Sequence, residues 1–389
     1  MISSEFLAPV SEKLFEKFST EEGRTLGFKI RQHREIEGLP DLENVKIAIL
    51  GVHEDRLSLS NAGCDRGVDA VRHHLYRLYP GEWPFGIADL GNIYKGDTPE
   101  DTYAAMRYII KELLHMDIIP VIIGGSQDAT YHMYRVYDDF EQSVNLTCAD
   151  SRFDLGEYNK SLNDENYLSH IVLQKPHNLY NFGNLGYQTY FVDPEERDLM
   201  GRMHFDIYRV GQLRPFQYAE PVLRNSDIVS IDMSVVRAAE APGHHQASPN
   251  GLNGEEICAL SRYAGLSDKL TQFGIFGYNP GLDINGRTAQ LMAEMVWYFA
   301  EGFTNRKGDF PMGSRKDYQR FTVLMEAGYE LVFYKSPKSG RWWIESPVHI
   351  DKETMHERHR LIPCNPDDYD LAMQGEIPLT WWNALKRSH

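Results

Sequence analysis

Two aspartates with a four-residue spacing are the first residues in this sequence whose types could do chemistry. Asp150 and Asp154 directly follow the apolar run Val144–Ala149, so a strand would deliver both carboxylates at its carboxyl end. Ligands of open α/β sheets bind beyond the carboxyl ends of the strands, and such carboxylate pairs present oxygen ligands to divalent cations. Arg152 stands between the two aspartates. Because its guanidinium is always charged, it would repel a metal ion held there.

Further polar residues follow other predicted strands, or lie in the loop between two of them. Those that we include in the candidate binding site are Gln127, Asp232, Ser234, His244, His245 and Asn279. The two histidines could complete a metal site together with the aspartates, although a solvated or hydrogen-bonded loop pair is the plainer interpretation. Cys148 lies inside a predicted buried strand, where a cysteine is usually inert.

The elements that must position these residues are strands that alternate with helices from residue 45 to about residue 305. The strand-like runs are Val45–Leu50, Ile87–Gly91, Ile118–Ile123, Val144–Ala149, Gln188–Val192, Phe205–Val210, Asp227–Asp232 and Thr271–Phe276. A helix is predicted from Pro99 to about His115, with Thr98 as its N-cap. Near-continuous apolar strands that alternate with helices predict an α/β fold with a parallel sheet covered on both faces.

Composition excludes several classes of function. The 389 residues carry a formal net charge of −16, which argues against nucleic acid as a partner. No apolar run approaches the length that spans a bilayer, so we expect no membrane insertion. The four cysteines form no C-x-x-C pair, which fits a reducing compartment. With no apolar leader at the N-terminus, we expect a cytoplasmic protein.

The chain divides into three predicted parts. Residues 1–44 read as a helical lead-in, residues 45–305 as the α/β domain, and residues 306–389 as a C-terminal extension. The extension contains a predicted β-hairpin, Glu330–Tyr334 with Arg341–Glu345, and four of the six tryptophans. Adjacent tryptophans in a strand point to opposite faces. We therefore favour an extension that packs on the main domain or self-associates over one that binds an unknown protein partner.

Taken together, the strand-end segments resemble the ureohydrolase family of arginase, agmatinase and formimidoylglutamase. The resemblance covers roughly residues 45–305 and follows the family's order of motifs. An Ala-Pro-Gly segment after Ser-x-Asp is most similar to formimidoylglutamases. The resemblance implies a three-layer α/β/α arginase-like fold with a mostly parallel eight-stranded sheet. It also implies two manganese ions that bridge a hydroxide, which attacks a guanidinium or formimino carbon.

The resemblance also implies which residues would hold the metals. Three of the family's six ligand positions keep an aspartate here, namely Asp150, Asp154 and Asp232. The other three positions, which are histidine, histidine and aspartate in the family, hold Gln127, Arg152 and Ser234. The family's Glu-Val-Asn-Pro segment, whose glutamate pairs with the guanidinium, is here Gly277-Tyr278-Asn279-Pro280.

These replacements lead to a first hypothesis, in which the metal site and the hydrolase activity have been lost. The protein would then be a scaffold, interaction or regulatory protein with no cofactor. In that case we expect Arg152 to replace the metal through an ion pair with Asp150, Asp154 or Asp232. Its removal would then destabilise the fold.

Two alternatives stay open. One is a metal-dependent hydrolase of a formimino or amidine C–N bond, which would use manganese on the three aspartates with His244 or His245 recruited. The other is a metal-free protein that binds a small anionic ligand through Arg152.

Overall fold

A mostly parallel sheet of ten strands lies at the centre of this protein, seen here in a computed structural model. The structure describes residues 2–16, 23–140, 142–311, 315–326, 328–347 and 357–387. The strands of the main sheet are β1 (Leu7–Ala8), β2 (Arg31–Gln32), β3 (Val45–Val52), β4 (Gly86–Ile93), β5 (Ile119–Ile123), β6 (Val144–Ala149), β7 (Leu179–Tyr187), β8 (Asp206–Arg209), β9 (Ile228–Asp232) and β10 (Gln272–Phe276). Their order is β1-β4-β3-β5-β10-β9-β6-β7-β8, and β2 pairs with β4. The predicted eight-stranded sheet corresponds to β3–β10, which run parallel.

Helices cover both faces of this sheet and give the three predicted layers. They are α1 (Lys13–Glu16), α2 (Leu26–Lys29), α3 (Val68–Leu75), α4 (Pro99–His115), α5 (Ala129–Arg135), α6 (Tyr167–Leu173), α7 (Pro194–Arg202), α8 (Ala219–Arg224), α9 (Gly254–Leu266) and α10 (Arg287–Thr304). One hydrophobic core joins α3, α8, α9 and α10 to the sheet, and a second joins α4–α7 to its other face. The prediction for α4 is confirmed, with Thr98 and Asp101 forming a capping box at its start.

Two local predictions were wrong. The chain forms a turn over residues 188–192, and the strand expected there is β7, which precedes it. Within the described residues 2–16 and 23–44, the lead-in is only partly helical, because α1 and α2 cover four residues each there and β1 and β2 join the main sheet. This short lead-in therefore adds strands to the edge of the sheet rather than a helical layer.

The C-terminal extension forms a second, four-stranded antiparallel sheet in the order β11-β12-β13-β14. The predicted hairpin is confirmed as two of its strands. The elements are β11 (Gln319–Leu324), β12 (Glu330–Lys335), β13 (Trp342–Glu345), β14 (Leu361–Cys364), α11 (Pro366–Met373) and α12 (Leu379–Arg387). Trp342 belongs to the extension's own hydrophobic core, and Trp343 is buried in a separate cluster on the other face of the sheet. The adjacent tryptophans thus point to opposite faces, as predicted.

The extension packs on the main domain at the amino ends of the strands. The buried Arg224 of α8 donates hydrogen bonds to the carbonyl oxygens of Trp342 and Cys364, at 3.1 and 3.2 Å. Its guanidinium also lies 4.6 Å from the ring centroid of Trp343. The strand ends that carry the candidate site are at the opposite edge of the sheet. The described part of the extension is therefore not a lid on that site.

A buried charge cluster lies at the same junction. Asp227, just before β9, lies 3.4 Å from the ammonium of Lys269 and 2.7 Å from the guanidinium of Arg358. Lys269 Nζ also lies 3.2 Å from Nδ1 of His359, a residue of the extension.

Among the helices of the described residues, none has the length and apolar composition of a membrane span.

Candidate active site at the carboxyl ends of the central strands

Four neighbouring strands at the middle of the sheet end at one small cavity. These strands are β5, β10, β9 and β6. The cavity, here called the inner cavity, has a volume of about 20 Å³, which is room for about one water molecule or ion. Its lining residues are Ser60, Asn61, Gln127, Asp150, Asp154, Asp164, Glu165, Asp232, Ser234, His244 and Gln246. Six of the nine predicted site residues therefore line one cavity, as their positions at strand ends indicated.

The inner cavity holds an excess of negative charge. Burial, and then the nearby carboxylate of Asp232, raises the pKa of Asp150. Burial and the carboxylates of Asp150 and Asp232 raise the pKa of Asp154 well above its ordinary value. Among the described residues that line the cavity there is no lysine and no arginine. Clustered carboxylates without a counter-charge favour bound protons or a bound cation.

Two buried polar atoms at the cavity lack partners among the described residues. Asp150 Oδ1 accepts the backbone N–H of Arg152 at 2.9 Å and the hydroxyl of Ser234 at 3.4 Å. Its other oxygen, Oδ2, has no donor, and the amide Nε2 of Gln127 has no acceptor. Because an amide's nitrogen and oxygen can be exchanged by a flip, Gln127 can present a carbonyl oxygen instead. An unpaired carboxylate oxygen beside an amide oxygen suits a hard cation.

The predicted ion pair of Arg152 with the aspartates is wrong. Its side chain turns away from them: Nε donates to Gln246 Oε1 at 3.2 Å and Nη1 donates to the carbonyl oxygen of Phe191 at 3.0 Å. The guanidinium also lies 4.8 Å from the ring centroid of Phe191. Among the described residues, Arg152 forms no ion pair. The expectation that Arg152 replaces a metal therefore loses its physical basis, because it does not neutralise the acidic cavity.

Arg152 instead lines a second and larger cavity, here called the outer pocket. This pocket has a volume of about 520 Å³ and shares Asp154, Glu165 and Gln246 with the inner cavity. Lys160 is another cationic residue of its wall. A ligand of substrate size would thus meet a guanidinium in the outer pocket and carboxylates at its inner end.

His244 enters the inner cavity where Gly277 leaves space. Its Nε2 lies 3.3 Å from Asp232 Oδ1. Gly277 has a φ of +79°, and a Cβ built there would lie 2.5 Å from Asp232 Oδ2 and 2.8 Å from the His244 ring. Any side chain at residue 277 would therefore push against the imidazole. The glutamate expected from the family is replaced by a glycine, and the space above that glycine is filled by a histidine.

Hydrogen bonding fixes which nitrogen of His244 carries the proton. The backbone N–H of Gln246 donates to His244 Nδ1 at 3.0 Å, so Nδ1 is the acceptor. In a neutral imidazole the other nitrogen then carries the hydrogen. Nε2 then carries its hydrogen beside Asp232 Oδ1 and has no lone pair free for a metal ion. The structure brings His244 to the site, but with an N–H group at Nε2 rather than as the recruited ligand.

Besides Arg152, two predicted site residues do not line the inner cavity. His245 is exposed, and its backbone N–H donates to Asn61 Oδ1 at 3.3 Å. Asn279 ties two loops together, since its Nδ2 donates to the carbonyl oxygen of Ala62 at 2.9 Å. Its Oδ1 accepts the N–H of Gly281 at 3.0 Å. Both polar groups of the Asn279 side chain thus form hydrogen bonds that hold the loops around the cavity.

The predicted site lacks five of the eleven residues that line the inner cavity, and Asp164 and Gln246 are two of these five. Asp164 lies in a polar loop, where its carboxylate accepts from the Ser58 hydroxyl at 2.5 Å and the Leu59 N–H at 2.9 Å. Burial raises the pKa of Asp164. Gln246 follows the His244-His245 pair and reaches Arg152. Neither residue follows a strand, so no pattern in the sequence could have pointed to them.

The donor set fits one hard cation better than two metal ions. Oxygen donors of Asp150, Asp154 and Asp232, with Gln127, match the ligands that Mn²⁺ and Mg²⁺ accept. The other two ligand positions implied by the family hold Arg152, whose side chain points away from the cavity, and Ser234, which offers only a hydroxyl group. Among the described residues, no three His, Cys, Asp or Glu side chains converge at metal-ligand spacing as they stand. A bound cation would therefore have to draw the carboxylates together.

Comparisons with known proteins agree with this architecture. The sequence profile of the arginase family matches residues 45–301. Formimidoylglutamase from Streptococcus gordonii is 23% identical over 292 residues, which are 68% of this chain and 86% of that protein. Formimidoylglutamase from Macrococcus caseolyticus is 26% identical over 274 residues, which are 66% of this chain and 85% of that protein.

Solved structures show the same fold. Trypanosoma cruzi formiminoglutamase with Mn²⁺ superposes with a TM-score of 0.65 at 18% identity, over 73% of this chain and 99% of that one. Formimidoylglutamase from Bacillus subtilis superposes with a TM-score of 0.64 at 16% identity, over 76% of this chain and 99% of that one. The extension from residue 306 onward lies outside the family match. The predicted resemblance is confirmed: the chain belongs to the arginase family.

Proposed function

We propose that this protein is a cation-dependent hydrolase of a C–N bond in a formimino or amidine compound. The observation that carries the proposal is the acidic inner cavity, in which buried carboxylates have no counter-charge. Similarity to formimidoylglutamases supports the same class of substrate. The proposal follows the alternative drawn from the sequence, because the ion pair with the aspartates that the metal-free hypothesis led us to expect for Arg152 is not formed.

In this proposal Asp150, Asp154 and Asp232 hold the cation, with the amide oxygen of Gln127 completing the set. A cation bound there supplies Lewis-acid polarisation and lowers the pKa of a bound water. Asp154 has a φ of +54°, a conformation that aspartate and asparagine adopt more readily than most residues. Burial and the nearby carboxylate of Asp150 raise the pKa of Asp154, so the two carboxyl groups lie close together.

His244 holds a proton at Nε2 beside Asp232, and the Gln246 N–H keeps the ring in that tautomer. We propose that this N–H donates a hydrogen bond to the nitrogen that leaves when the C–N bond breaks, while the attacking water supplies the proton that this nitrogen gains. Gly277 makes this possible because it leaves room for the ring. His244 is thus proposed as a hydrogen-bond donor to the substrate, beside the position where the family carries a glutamate that pairs with the substrate.

Arg152 is proposed to bind an anionic group of the substrate in the outer pocket. Its Nη2 has no hydrogen-bond acceptor among the described residues, and its other donors hold it against Phe191 and Gln246. A carboxylate is the natural partner for such a guanidinium. The substrate would therefore carry an amidine or formimino group at one end and a carboxylate at the other.

Elemental analysis of the protein purified with manganese, followed by ammonia or formamide release from N-formimino-L-glutamate, tests the proposal. The wild-type protein should retain about one metal ion per chain and hydrolyse the substrate. Asp154→Asn should lose both, and its backbone conformation is compatible with asparagine. Arg152→Gln should keep the metal and raise KM, whereas His244→Asn should keep the metal and lower kcat.

A second candidate is a non-catalytic member of the family with a scaffold or regulatory role. It is favoured by Gln127, Arg152 and Ser234, which replace three ligands that the family resemblance implies. Near-zero metal together with no hydrolysis would reject the hydrolase and leave this candidate. Metal without hydrolysis of the formimino substrate would keep the cation site and reject the substrate.

A further inference from the structure

A second cavity of ligand size lies between the main domain and the C-terminal extension. This seam pocket has a volume of about 370 Å³, within the range of small-molecule sites. Its lining includes Asp206, Tyr208, Tyr218, Asp367, Asp368 and Leu371. The first three belong to the main domain and the last three to α11. A molecule in this pocket would touch both parts of the protein at once.

The charged residues of the seam pocket favour a ligand with a positive charge. Three carboxylates line it, and among its described lining residues there is no lysine and no arginine. Asp206 has a cation nearby, since Arg387 Nη1 lies 3.6 Å away. Asp367 and Asp368 form no ion pair within the described residues. The pocket therefore has carboxylate charge that a cation would neutralise.

The hydrogen bonds of these two aspartates leave their charge in place. Asp367 Oδ2 accepts the neutral hydroxyl of Tyr218 at 2.9 Å, and Asp368 Oδ2 accepts the backbone N–H of Asn365 at 2.8 Å. Burial and the neighbouring Asp367 carboxylate raise the pKa of Asp368. A carboxylate in that state gains more from a cationic partner than an exposed one does.

The apolar part of the lining indicates that the cation is organic. Leu371 and Leu379 are 37% and 63% exposed, and the phenol ring of Tyr218 is 37% exposed. Exposed apolar side chains that rim a concave surface are typical of a ligand site. Aromatic rings also attract ammonium groups through their π faces. A bare metal ion would leave this apolar surface uncovered.

We propose that the seam pocket binds a small organic amine, with its ammonium group between Asp367 and Asp368 and its apolar body against Leu371 and the tyrosines. This site is separate from the inner cavity and does not depend on the proposed hydrolase activity. Because both parts of the protein form its walls, the amine binds the docked arrangement. It should therefore raise the melting temperature as its concentration rises.

Isothermal titration with 2-phenylethylamine tests the proposal, and 2-phenylethanol serves as the uncharged control of the same shape. The amine should bind and stabilise the wild-type protein, and the alcohol should bind at least about tenfold more weakly, because a charge-assisted hydrogen bond is lost. Asp367→Asn should weaken amine binding by a similar factor. Asp370→Asn, an exposed position on the same helix outside the pocket, should leave it unchanged.

Asp154→Asn distinguishes the seam pocket from the acidic inner cavity and should leave amine binding intact. The proposal is overturned if the amine does not bind, if the alcohol binds equally well, or if Asp367→Asn binds like the wild type. It is also overturned if Asp154→Asn abolishes binding, since the amine would then occupy the outer pocket, which shares Asp154 with the inner cavity. Failure of the hydrolase proposal alone would not affect any of these results.

Discussion

At the scale of single residues, charge and spacing predicted which side chains meet but not where each one points. Asp150, Asp154 and Asp232 converge because two neighbouring strands, β6 and β9, end side by side, and the sequence shows those ends. Arg152 lies between two of them in the sequence, yet its guanidinium reaches Phe191 and Gln246. The side-chain direction depends on the loop that carries Phe191, which is distant in sequence. Rotamer direction of this kind cannot be predicted from local spacing.

The orientation of Arg152 makes a prediction about stability. Arg152→Gln should lower the free energy of unfolding by about 1 kcal/mol, because it removes one side-chain and one backbone hydrogen bond at a half-buried site. An internal ion pair with the aspartates would instead cost about 3–5 kcal/mol. Denaturant unfolding measures the difference.

A matched control is available at Arg72. This arginine is fully buried, and its Nε and Nη2 lie 2.8 and 2.9 Å from the carboxylate oxygens of Asp89. Arg72→Gln should show the larger loss, of about 3–5 kcal/mol. Equal losses for the two variants would mean that Arg152 is paired with the aspartates after all.

At the scale of secondary structure, the sequence predicted the strands that are largely apolar runs. It did not predict β7, in which polar and apolar residues are mixed. β5 is a continuous apolar run and β6 is apolar or small except for Asn145, and both are buried along their whole length. β7 carries Asn181 and Asn184, both buried, together with two glycines. Asn181 donates to Asp206 at 2.6 Å and Asn184 to the carbonyl oxygen of Arg152 at 2.8 Å. Because these partners are distant in sequence, the buried amides look like loop residues in the sequence alone.

The amino ends of β9 and β10 allow a prediction about pH. Burial lowers the pKa of Lys269 to about 8, opposed by the attraction of Asp227, whereas an unfolded lysine has a pKa near 10.4. The folded state therefore binds fewer protons between these values, so the free energy of unfolding should rise with pH from about 8 to 10. The cost of burying the charge is fully present below pH 8.

Comparison of the wild type with Lys269→Met isolates this contribution. Relative to the variant, the wild type should gain about 1 kcal/mol of stability for each pH unit within that window. Urea unfolding at pH 7.5, 8.5 and 9.5 measures it. A constant difference across the series would show that Lys269 keeps its proton, held by Asp227 and next to Arg358 and His359.

At the scale of the whole molecule, the sheet separates two regions. The candidate active site lies at the carboxyl ends of the central strands, and the extension packs at their amino ends. The sequence predicted that the tryptophan-rich segment would pack rather than hang free, because of its paired tryptophans. It could not show which edge of the sheet receives the extension, since Arg224 and Lys269 give no local signal of a partner about 90 residues or more away.

This separation predicts independent effects of substitutions at the two edges. Arg224→Met should lower the free energy of unfolding by about 3 kcal/mol, because two buried carbonyl oxygens lose their donor. It should leave the metal content unchanged. Asp154→Asn should have the reverse pattern, with the metal lost and stability kept or raised as carboxylate repulsion falls. Loss of metal in Arg224→Met would contradict the separation.

The contact between Gly277 and His244 also limits which substitutions the protein can accept during evolution. A glutamate reintroduced at residue 277 would meet the imidazole and the Asp232 carboxylate at once, and the backbone there has a positive φ. Restoring the family's residue therefore requires His244 to withdraw first, and that withdrawal alone removes the partner of Asp232. Each single step is unfavourable, and withdrawal of His244 still leaves the new Cβ 2.5 Å from Asp232 Oδ2 on a backbone of positive φ. Gly277 and His244 therefore depend on each other, and no single substitution restores the glutamate of the family without disturbing the site.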